Sequence, residues 1–539
     1  MGEPIQQRQS ATFSEQARLV SSLIKEQQFV FPAAEIELVE THISWVLLSS
    51  RFAYKIKKAL HFDFLDFTEL EMRRFFCEEE IRLNRRLAPQ IYLDVIPIGG
   101  SVDAPEFGLM PAMEYAVRMN RFDMADAMDR RLQGGTLSAG HIDSLATILA
   151  RFHQSLVSAP LDLPYGDERI ICAEAMQNLR ELRLLLSGPD EKAAIDKLQQ
   201  AVESEYEAKR GIFRLRRMNG FVRECHGDLH LSNIVVIDDE AVPFDGIEFD
   251  PALRWIDVIA DIAFPYMDLI HFAKPHLASR MLNRYLEQTG DYEGMDVLHF
   301  YASGRAAVRA KVHAIRASQQ PAGTREREEA LAACRSYLDL AALSLSRPRA
   351  TLIITCGLPG SGKSSFAQAA LEMSGAIRIR SDVERKRLFG LSPLSCSLER
   401  AVNIYGEGVS ARTYEALYEI ARKLLAGGFS VIVDAAFLKQ SERDRFHGLA
   451  ESLGIPFAIA SVQAGEGMLQ KRIIERMRLG NDPSEADLGV LSVLQAASEP
   501  LLPKEQAWSV EFINDGEQGF AADDPGWKKL EQLLSRAMK

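Results

Sequence analysis

Residues 357–364 read Gly-Leu-Pro-Gly-Ser-Gly-Lys-Ser and follow the apolar run Leu352–Thr355. An apolar run, a glycine-rich loop and a helical pattern in this order predict an α/β domain with a parallel sheet. The glycines let backbone N–H groups face phosphate oxygens, the lysine suits terminal phosphates, and the last serine suits Mg²⁺. We expect nucleotide or metal contacts from six residues of this loop: Gly357, Gly360, Ser361, Gly362, Lys363 and Ser364.

Two acidic residues follow predicted strands downstream of the loop. Asp434 ends the apolar run 429–433, where a carboxylate suits the metal side of a nucleotide site, although a structural cap is the alternative. Asp382 comes just after another strand pattern, at the sheet edge where ligands of α/β proteins bind. Ser381 and Glu384 have the spacing of a capping box for the next helix, so a purely structural role for Asp382 stays open.

This arrangement, over about residues 351–515, resembles phosphate-loop kinases of the AAA, zeta-toxin and polynucleotide-kinase type. The resemblance implies that Asp382 is the base for an acceptor hydroxyl. Arg472 and Arg476 lie on a predicted helix and are candidates for lid arginines that neutralise the phosphate during transfer. A solvated basic face is the alternative for both.

A second, unrelated motif lies upstream. Residues 226–233 read His-Gly-Asp-Leu-His-Leu-Ser-Asn, and a strand pattern and a turn then lead to Asp245. Phosphoryl transfer needs metal ions on the nucleotide and a base at the acceptor, and this segment offers side chains of both kinds. The layout resembles the catalytic and metal loops of the protein-kinase-like fold, in particular the aminoglycoside phosphotransferase branch.

The resemblance to that branch covers roughly residues 30–345. It implies that Asp228 accepts the proton of the acceptor hydroxyl and that Asn233 and Asp245 hold Mg²⁺. It also implies that Asp257 braces the catalytic loop.

The same resemblance implies a nucleotide side made of three segments: a strand lysine that pairs the phosphates, a helix glutamate that holds this lysine, and a connection that binds adenine. Lys55 and Lys57 share one face of a predicted strand, and we expect Lys55 to meet the nucleotide phosphates. Glu80 lies inside the apolar stripe of the predicted helix 68–88, where an unpaired carboxylate would be costly, so we expect it to hold the lysine. Met113 and Tyr115 follow a predicted strand at 107–113 and fall where an adenine-binding connection is expected, with an ordinary loop as the alternative.

Residues Tyr54–Lys58, Cys77–Glu80 and Arg254–Asp257 further resemble a bacterial subfamily in which such a domain is fused to a phosphate-loop kinase. We therefore expect a bilobal α+β protein-kinase-like domain at 1–345, a proline-broken linker at 346–350 and an α/β phosphate-loop domain with a parallel sheet at 351–539.

Bulk composition is that of a globular protein, with 539 residues and no apolar run of the length that a membrane helix needs. Six scattered cysteines without a Cys-x-x-Cys pair indicate reduced thiols, and the start of the chain lacks the apolar core of a secretion signal. We expect a cytoplasmic protein. The formal net charge of −12 argues against a broad nucleic-acid surface, though a local basic patch is compatible with it.

The motifs together predict an enzyme with two kinase modules, each transferring the γ-phosphoryl group of ATP, with Mg²⁺, to a hydroxyl of a small-molecule acceptor. One alternative is a single kinase module with the other as a nucleotide-sensing regulator. Another is a toxin-like or nucleic-acid 5′-hydroxyl kinase. The sequence names neither acceptor and gives no oligomeric state.

Overall fold

The computed structural model describes residues 5–26, 36–62, 65–395, 397, 404, 408–480, 482–516, 520 and 523–535. The chain divides into two compact units. The front unit comprises Met1–Ile171 and Phe213–Pro265, and the rear unit comprises Cys172–Ile212 and Tyr266–Lys539. None of the helices in the described ranges combines the length and the apolar character that crossing a bilayer would require.

The front unit contains a six-stranded antiparallel sheet in the order β1-β2-β3-β8-β6-β7. Its strands are β1 (Glu37–Glu40), β2 (Ser44–Leu48), β3 (Phe52–Lys57), β6 (Tyr92–Ser101), β7 (Ala104–Phe107) and β8 (Glu114–Asn120). Two short strands, β4 (His61–Phe62) and β5 (Leu65–Asp66), form a separate hairpin.

The side chains of β3 alternate between the two faces of this sheet. Phe52, Tyr54 and Ile56 pack in an apolar core with α1 (Ile5–Glu26). Lys55 and Lys57 are therefore on the opposite face, where α2 (Leu70–Asn84) packs. This alternation places both lysines beside the helix that carries Glu80.

The remaining elements of the front unit follow the sheet in the chain. They are α3 (Met128–Gln133), α4 (Ala139–Ser155), β9 (Val222–Glu224), β10 (Ile234–Ile237), β11 (Glu240–Pro243), α7 (Pro251–Arg254) and β12 (Trp255–Asp257). The unit boundaries fall within α5 (Glu168–Leu185), α6 (Pro189–Met218) and α8 (Val258–His271). The antiparallel sheet followed by helices confirms the expected α+β, protein-kinase-like class.

The rear unit contains five parallel strands in the order β14-β15-β13-β16-β17. They are β13 (Leu352–Cys356), β14 (Ile377–Arg380), β15 (Val431–Asp434), β16 (Phe457–Gln463) and β17 (Ser509–Ile513). Its helices are α9 (Pro275–Thr289), α10 (Met295–Ser318), α11 (Arg325–Leu345), α12 (Lys363–Ser374), α13 (Ser381–Arg387), α14 (Val409–Ala426), α15 (Gln440–Leu453), α16 (Glu466–Leu479), α17 (Leu488–Ala496), α18 (Pro503–Gln506) and α19 (Pro525–Ser535). The α/β phosphate-loop class is confirmed.

The sequence also predicts a strand pair at 91–98 and 107–113 that is split by a turn at Gly99-Gly100-Ser101, and these bounds are wrong. Residues 99–101 are not the turn but the end of β6, where Gly99 pairs with Glu106 of β7. A Cβ atom on Gly99 would lie 2.4 Å from the carbonyl oxygen of Leu109. The glycine thus permits a close backbone approach within a strand, and the pattern does not distinguish this use from a turn.

Helix α9 covers the free edge of β14, which is an edge strand of the rear sheet. The side-chain Nδ2 of Asn283 donates to the carbonyl of Ala376 over 3.0 Å, and its Oδ1 accepts from the amide of Arg378 over 2.6 Å. An edge strand needs such partners for its open hydrogen-bonding groups. Residues 266–345 therefore pack in the same compact unit as the phosphate-loop segment.

We expect limited proteolysis to cut the chain between Ser346 and Arg349, because this segment is exposed and has no regular structure. The two fragments should nevertheless co-elute in size-exclusion chromatography, because the Asn283 hydrogen bonds to β14 join residues on either side of the cut. Gel electrophoresis of the eluted peak checks both points. Separate elution of the fragments, or cuts only elsewhere, would contradict them.

Candidate active sites

The front site is organised by a buried lysine pair. Nζ of Lys55 lies 2.9 Å from Oε1 of Glu80, and Nζ of Lys57 lies 2.7 Å from Oε2 of the same carboxylate. Lys57 is fully buried and also contacts Glu248, whereas Lys55 additionally reaches Asp245. Of the two lysines, Lys55 is thus the one directed towards the predicted metal ligand.

The charges of this cluster stabilise each other. Burial opposes the ionisation of Glu80, but the adjacent Lys55 and Lys57 ammonium groups outweigh it and lower the pKa of this carboxyl to about 2. Burial likewise disfavours the charged lysines, yet Asp245 and Glu80 hold the pKa of Lys55 well above its usual value. The site therefore presents a permanent positive charge at Lys55.

Asp245 occupies a constrained turn after β11. Its φ is 61°, a left-handed conformation that is uncommon outside glycine. Its amide donates to the hydroxyl of Tyr92 over 3.0 Å, and the next amide, of Gly246, donates to Oδ1 of Asn84 over 2.7 Å. With 44% of its side chain exposed and one oxygen 2.5 Å from Nζ of Lys55, Asp245 is anchored but accessible.

The catalytic-loop motif brings Asp228 and Asn233 together. Nδ2 of Asn233 donates to the Asp228 carbonyl over 3.0 Å and lies 3.3 Å from Oδ2 of its carboxylate. The Asp228 amide faces Nδ1 of His226 at 3.3 Å, while Nε2 of that imidazole lies 2.9 Å from the Phe244 carbonyl. Burial lowers the pKa of His226, so a neutral imidazole holds the loop against the strand that leads to Asp245.

The brace expected at Asp257 is instead Asp261. The Asp261 carboxylate accepts the amides of His226 over 3.2 Å and Gly227 over 2.9 Å, and it also faces Nε2 of His153. Asp257 binds the guanidinium of Arg216, at 2.6 and 2.9 Å. Burial opposes ionisation of Asp261, but the hydrogen bond and charge of His153 lower its pKa to about 2. Asp261 is one of two carboxylates inside the apolar helix α8, and its position there was the sequence signal for a buried partner.

The expectation that Met113 and Tyr115 follow a strand is wrong. Tyr115 lies inside β8, and Met113 immediately precedes that strand. Met113 packs in the core on the α1 side of the sheet, while the Tyr115 ring is buried with the guanidinium carbon of Arg74 5.5 Å from its centroid. The strand bounds on which an adenine-binding role was based are wrong, and the role itself stays a prediction.

The rear site is built on the phosphate-binding loop. Gly360 and Gly362 have φ of 82° and 97°, and a Cβ at Gly360 would lie 2.7 Å from the Leu469 carbonyl oxygen. Lys363 begins α12, and its Nζ donates to the Leu358 carbonyl over 2.8 Å. Burial lowers the pKa of Lys363 because it disfavours the ammonium form.

A cavity of about 430 Å³ lies against this loop. It collects most of the residues that the sequence proposed for the rear site. Gly357 and Ser361 are not in its lining, whereas eight proposed residues are: Gly360, Gly362, Lys363, Ser364, Asp382, Asp434, Arg472 and Arg476.

Asp434 ends β15 with a buried side chain. Within the described part of the chain, its Oδ2 makes no hydrogen bond, and Nε of Arg380 is 3.6 Å away. A buried carboxylate oxygen without a donor is costly unless something else satisfies it. Together with the Ser364 hydroxyl it offers the hard oxygen ligands that Mg²⁺ prefers, so these residues fit that ion.

Asp382 faces the cavity from the first turn of α13. Its Oδ1 accepts from Nη1 of Arg385 over 2.6 Å. Burial opposes ionisation of Asp382, but the charges of Arg385 and Arg380 outweigh it and hold its pKa below the usual value. The side chain is therefore a carboxylate at neutral pH.

The capping box expected from Ser381 and Glu384 is absent. Helix α13 begins at Ser381 itself, and its N-cap residue Arg380 makes no side-chain cap hydrogen bond. Glu384 instead accepts from the Tyr292 hydroxyl over 3.2 Å and from Nε of Arg387 over 3.0 Å. Glu384 thus binds Tyr292, which is distant in the chain, instead of the amide at the start of its own helix. The spacing of residues along the chain does not reveal this partner.

The two predicted lid arginines lie on α16 beside the loop. Nη1 of Arg472 donates to the Gly360 carbonyl over 3.3 Å, and Nη2 of Arg476 donates to the Ala486 carbonyl over 2.6 Å. Both guanidinium groups border the cavity. They are thus placed to contact a phosphate group there.

The amino-acid sequence matches one family model and several curated proteins. Residues 352–501 match the family model described as AAA domain. An uncharacterised protein of Mycobacterium tuberculosis strain H37Rv is 29% identical over 86% of this chain and 90% of its own length. A UPF0200 protein of Saccharolobus islandicus strain M.16.4 is 31% identical, over 27% of this chain and 80% of its own.

Solved structures give weaker likenesses. An amicoumacin kinase in complex with AMP-PNP, Ca²⁺ and amicoumacin is 12% identical, with a TM-score of 0.39 over 62% of this chain and 95% of its own. A choline/ethanolamine kinase family protein of Mesorhizobium loti is 11% identical, with a TM-score of 0.36 over 62% and 99%. A gluconokinase of Sinorhizobium meliloti is 19% identical, with a TM-score of 0.24 over 35% and 91%. Because these scores are low, we base the function on the side chains of this chain.

Proposed function

We propose that the chain is a two-site phosphotransferase. It matches an AAA domain at residues 352–501 and belongs to the UPF0200 family over 27% of its length. Each site transfers the γ-phosphoryl group of ATP to a hydroxyl group of a small-molecule acceptor. A P–O bond to the acceptor forms, the bond to the ADP oxygen breaks, and the hydroxyl proton passes to a carboxylate.

One observation carries the proposal: the rear cavity unites groups that phosphoryl transfer requires from segments far apart in the chain. The loop supplies Lys363 for the phosphates, and α16 supplies two further cations at the rim. Asp382 enters from α13 as an ionised carboxylate, the form that accepts a proton. A purely structural cavity would not need a cation, a carboxylate oxygen without a donor and an ionised carboxylate in one lining.

The front site supports a second transfer. Lys55 joins Glu80 to Asp245, which fixes the cation beside the predicted metal ligand. Asp228 has 38% of its side chain exposed, so an acceptor hydroxyl can reach its carboxylate. Asn233 binds the same carboxylate and orients it.

When bound, Mg²⁺ neutralises charge on the nucleotide phosphates. In the front site Asn233 and Asp245 would hold it, and in the rear site Ser364 and Asp434 would do so. The chain's own cations, Lys55 and Lys363 among them, bind the remaining phosphate oxygens, and the two acids at positions 228 and 382 orient the acceptor hydroxyl and take its proton.

Calorimetric titration of the full chain with a non-hydrolysable ATP analogue and Mg²⁺ tests the proposal. We expect two sites per chain, because the two groups of residues lie in separate units. Lys363→Ala should remove one site, and Asp245→Ala should weaken the other. Lys423→Ala, an exposed lysine that pairs with Glu293, is the matched control and should leave both sites intact.

Binding at a single site in the folded full-length protein would contradict the proposal. Two binding sites with phosphoryl transfer from only one of them, in a screen of acceptors with labelled ATP, would instead favour a nucleotide-sensing module.

A further inference from the structure

Glu287 in helix α9 lies next to the rear site although it is far from the phosphate-binding loop in the chain. Its carboxylate is buried and accepts from Nε of Arg378 over 2.8 Å. Oε2 of the same carboxylate lies 3.8 Å from Nη1 of Arg380. Positions 378 and 380 are two apart on β14 and so share a face of that strand. One glutamate therefore contacts two buried guanidinium groups.

The Arg378 branch leads to the phosphate-binding loop. While Nε and Nη2 of Arg378 bind Glu287, its Nη1 donates to the carbonyl oxygen of Ser364 over 3.3 Å. Ser364 is the loop residue whose hydroxyl is predicted to bind Mg²⁺. The position of its backbone thus depends on a guanidinium group that Glu287 holds.

The Arg380 branch leads to the second predicted metal ligand. Nε of Arg380 lies 3.6 Å from Oδ2 of Asp434, and its Nη2 lies 3.4 Å from Oδ2 of Asp482. The Asp434 distance is too long for a hydrogen bond, so Arg380 attracts this oxygen without saturating it. Oδ2 of Asp434 therefore stays available to a metal ion, while the charge of Arg380 helps to fix its position.

Glu287, Arg378 and Arg380 form a buried cluster that is charged rather than apolar, and this charge requires a reason. A buried ion pair is often replaceable by apolar side chains without loss of stability. Burial opposes ionisation of Glu287, but Arg378 and Arg380 lower its pKa, so the carboxylate remains charged. Without it, Arg378 would lose the carboxylate that it binds, and Arg380 would be left with its contacts to Asp434 and Asp482.

We propose that Glu287 is a positioning residue of the rear site, acting through Arg378 on Ser364 and through Arg380 on Asp434. This inference rests on the proposed function of that site. Helix α9, in the segment that the sequence assigns to the kinase-like domain, is then a required part of the phosphate-loop enzyme. We expect metal-dependent nucleotide binding at the rear site to depend on Glu287 of this helix.

The test uses the full chain carrying Lys55→Ala and Asp245→Ala, so that the front site no longer contributes. Calorimetry gives the dissociation constant of a non-hydrolysable ATP analogue with Mg²⁺ and again with EDTA. We expect Glu287→Gln to weaken binding about tenfold with Mg²⁺, the scale of losing a partner that orients a metal ligand, and less than about twofold with EDTA.

Glu372→Gln is the matched control. Glu372 of α12 pairs with Arg280 of α9 at 2.7 Å, but it is partly exposed and contacts neither metal-ligand branch. We expect it to bind the analogue like the parent in both conditions. Glu287→Asp, which keeps the charge on a shorter side chain, should fall between the parent and Glu287→Gln, and it decides the question if Glu287→Gln does not fold.

Parent-like binding by Glu287→Gln, or an equal loss with Mg²⁺ and with EDTA, would overturn the inference, the latter indicating a general structural role. If Glu287→Gln is unfolded, parent-like binding by Glu287→Asp overturns it. The absence of metal-dependent binding in the parent itself would count against the proposed function instead, so the two failures are distinguishable.

Discussion

The Asp228→Asn variant should transfer phosphate to the front-site acceptor at least about 10²-fold more slowly, in the range usual for removal of a general base. The amide has the shape of the carboxylate but cannot take the hydroxyl proton. Because the side chain is partly exposed, the exchange should not disturb folding. Nucleotide affinity should persist, since Lys55 and Asp245 are unchanged. Steady-state rates with labelled ATP and calorimetry on the same sample measure both effects.

Asp250→Asn is the control for this substitution. Asp250 caps α7 by accepting from the Ala252 amide over 2.8 Å, and asparagine caps helices equally well. The same charge is lost from the front unit without touching the predicted base. A normal rate is expected for this control, and a normal rate for Asp228→Asn would disprove the assignment of the base.

The Asp382→Asn variant should lower rear-site transfer by about 10² to 10⁴-fold for the same chemical reason. Analogue binding through Lys363 should remain. Burial opposes ionisation of Asp382, but the ion pair with Arg385 and the charge of Arg380 outweigh it and hold the pKa of Asp382 below its ordinary value of 3.8. The active carboxylate form is therefore present above that value and lost as the pH falls through the lowered pKa. We expect the wild-type rate to show no titration by this residue near neutral pH.

Glu384→Gln separates chemistry from helix electrostatics. Glu384 lies in the same first turn of α13, but its carboxylate binds Tyr292 and Arg387 and does not line the cavity. Its loss should lower the thermal unfolding midpoint while transfer by the folded fraction continues. If Asp382→Asn transfers phosphate as fast as Glu384→Gln in the full chain carrying Asp228→Asn, Asp382 is not the base.

Patterns confined to one segment were predicted correctly. The motif at 357–364 follows β13 and runs into the first turn of α12, and Asp434 ends a buried strand, as expected. The pairing of Lys55 with Glu80 was also predictable, because a carboxylate inside an apolar helical stripe requires a partner. The roles of these residues in binding and catalysis stay predictions.

Errors arose where one local pattern fits two structures. Glycines at 99–100 suit a turn or a close strand contact, and the carbonyl of Leu109 selects the second. Ser381 and Glu384 have capping-box spacing, but the tertiary contact of Glu384 with Tyr292 takes its place. Asp257 and Asp261 were both acids near the motif, and only the fold shows which one receives the loop amides.

The sequence by itself determined the two phosphate-transfer motifs and the two fold classes. The backbone conformation of a glycine-rich loop and the alternation of side chains along a strand depend on residues a few positions away. The local sequence therefore contains the information that determines them. Only the tertiary structure decided that α9 covers the edge of β14 and that Glu287 reaches Arg378, 91 positions along the chain. Such a pair forms because burial makes each charge require the other, and no periodicity in either segment records that requirement.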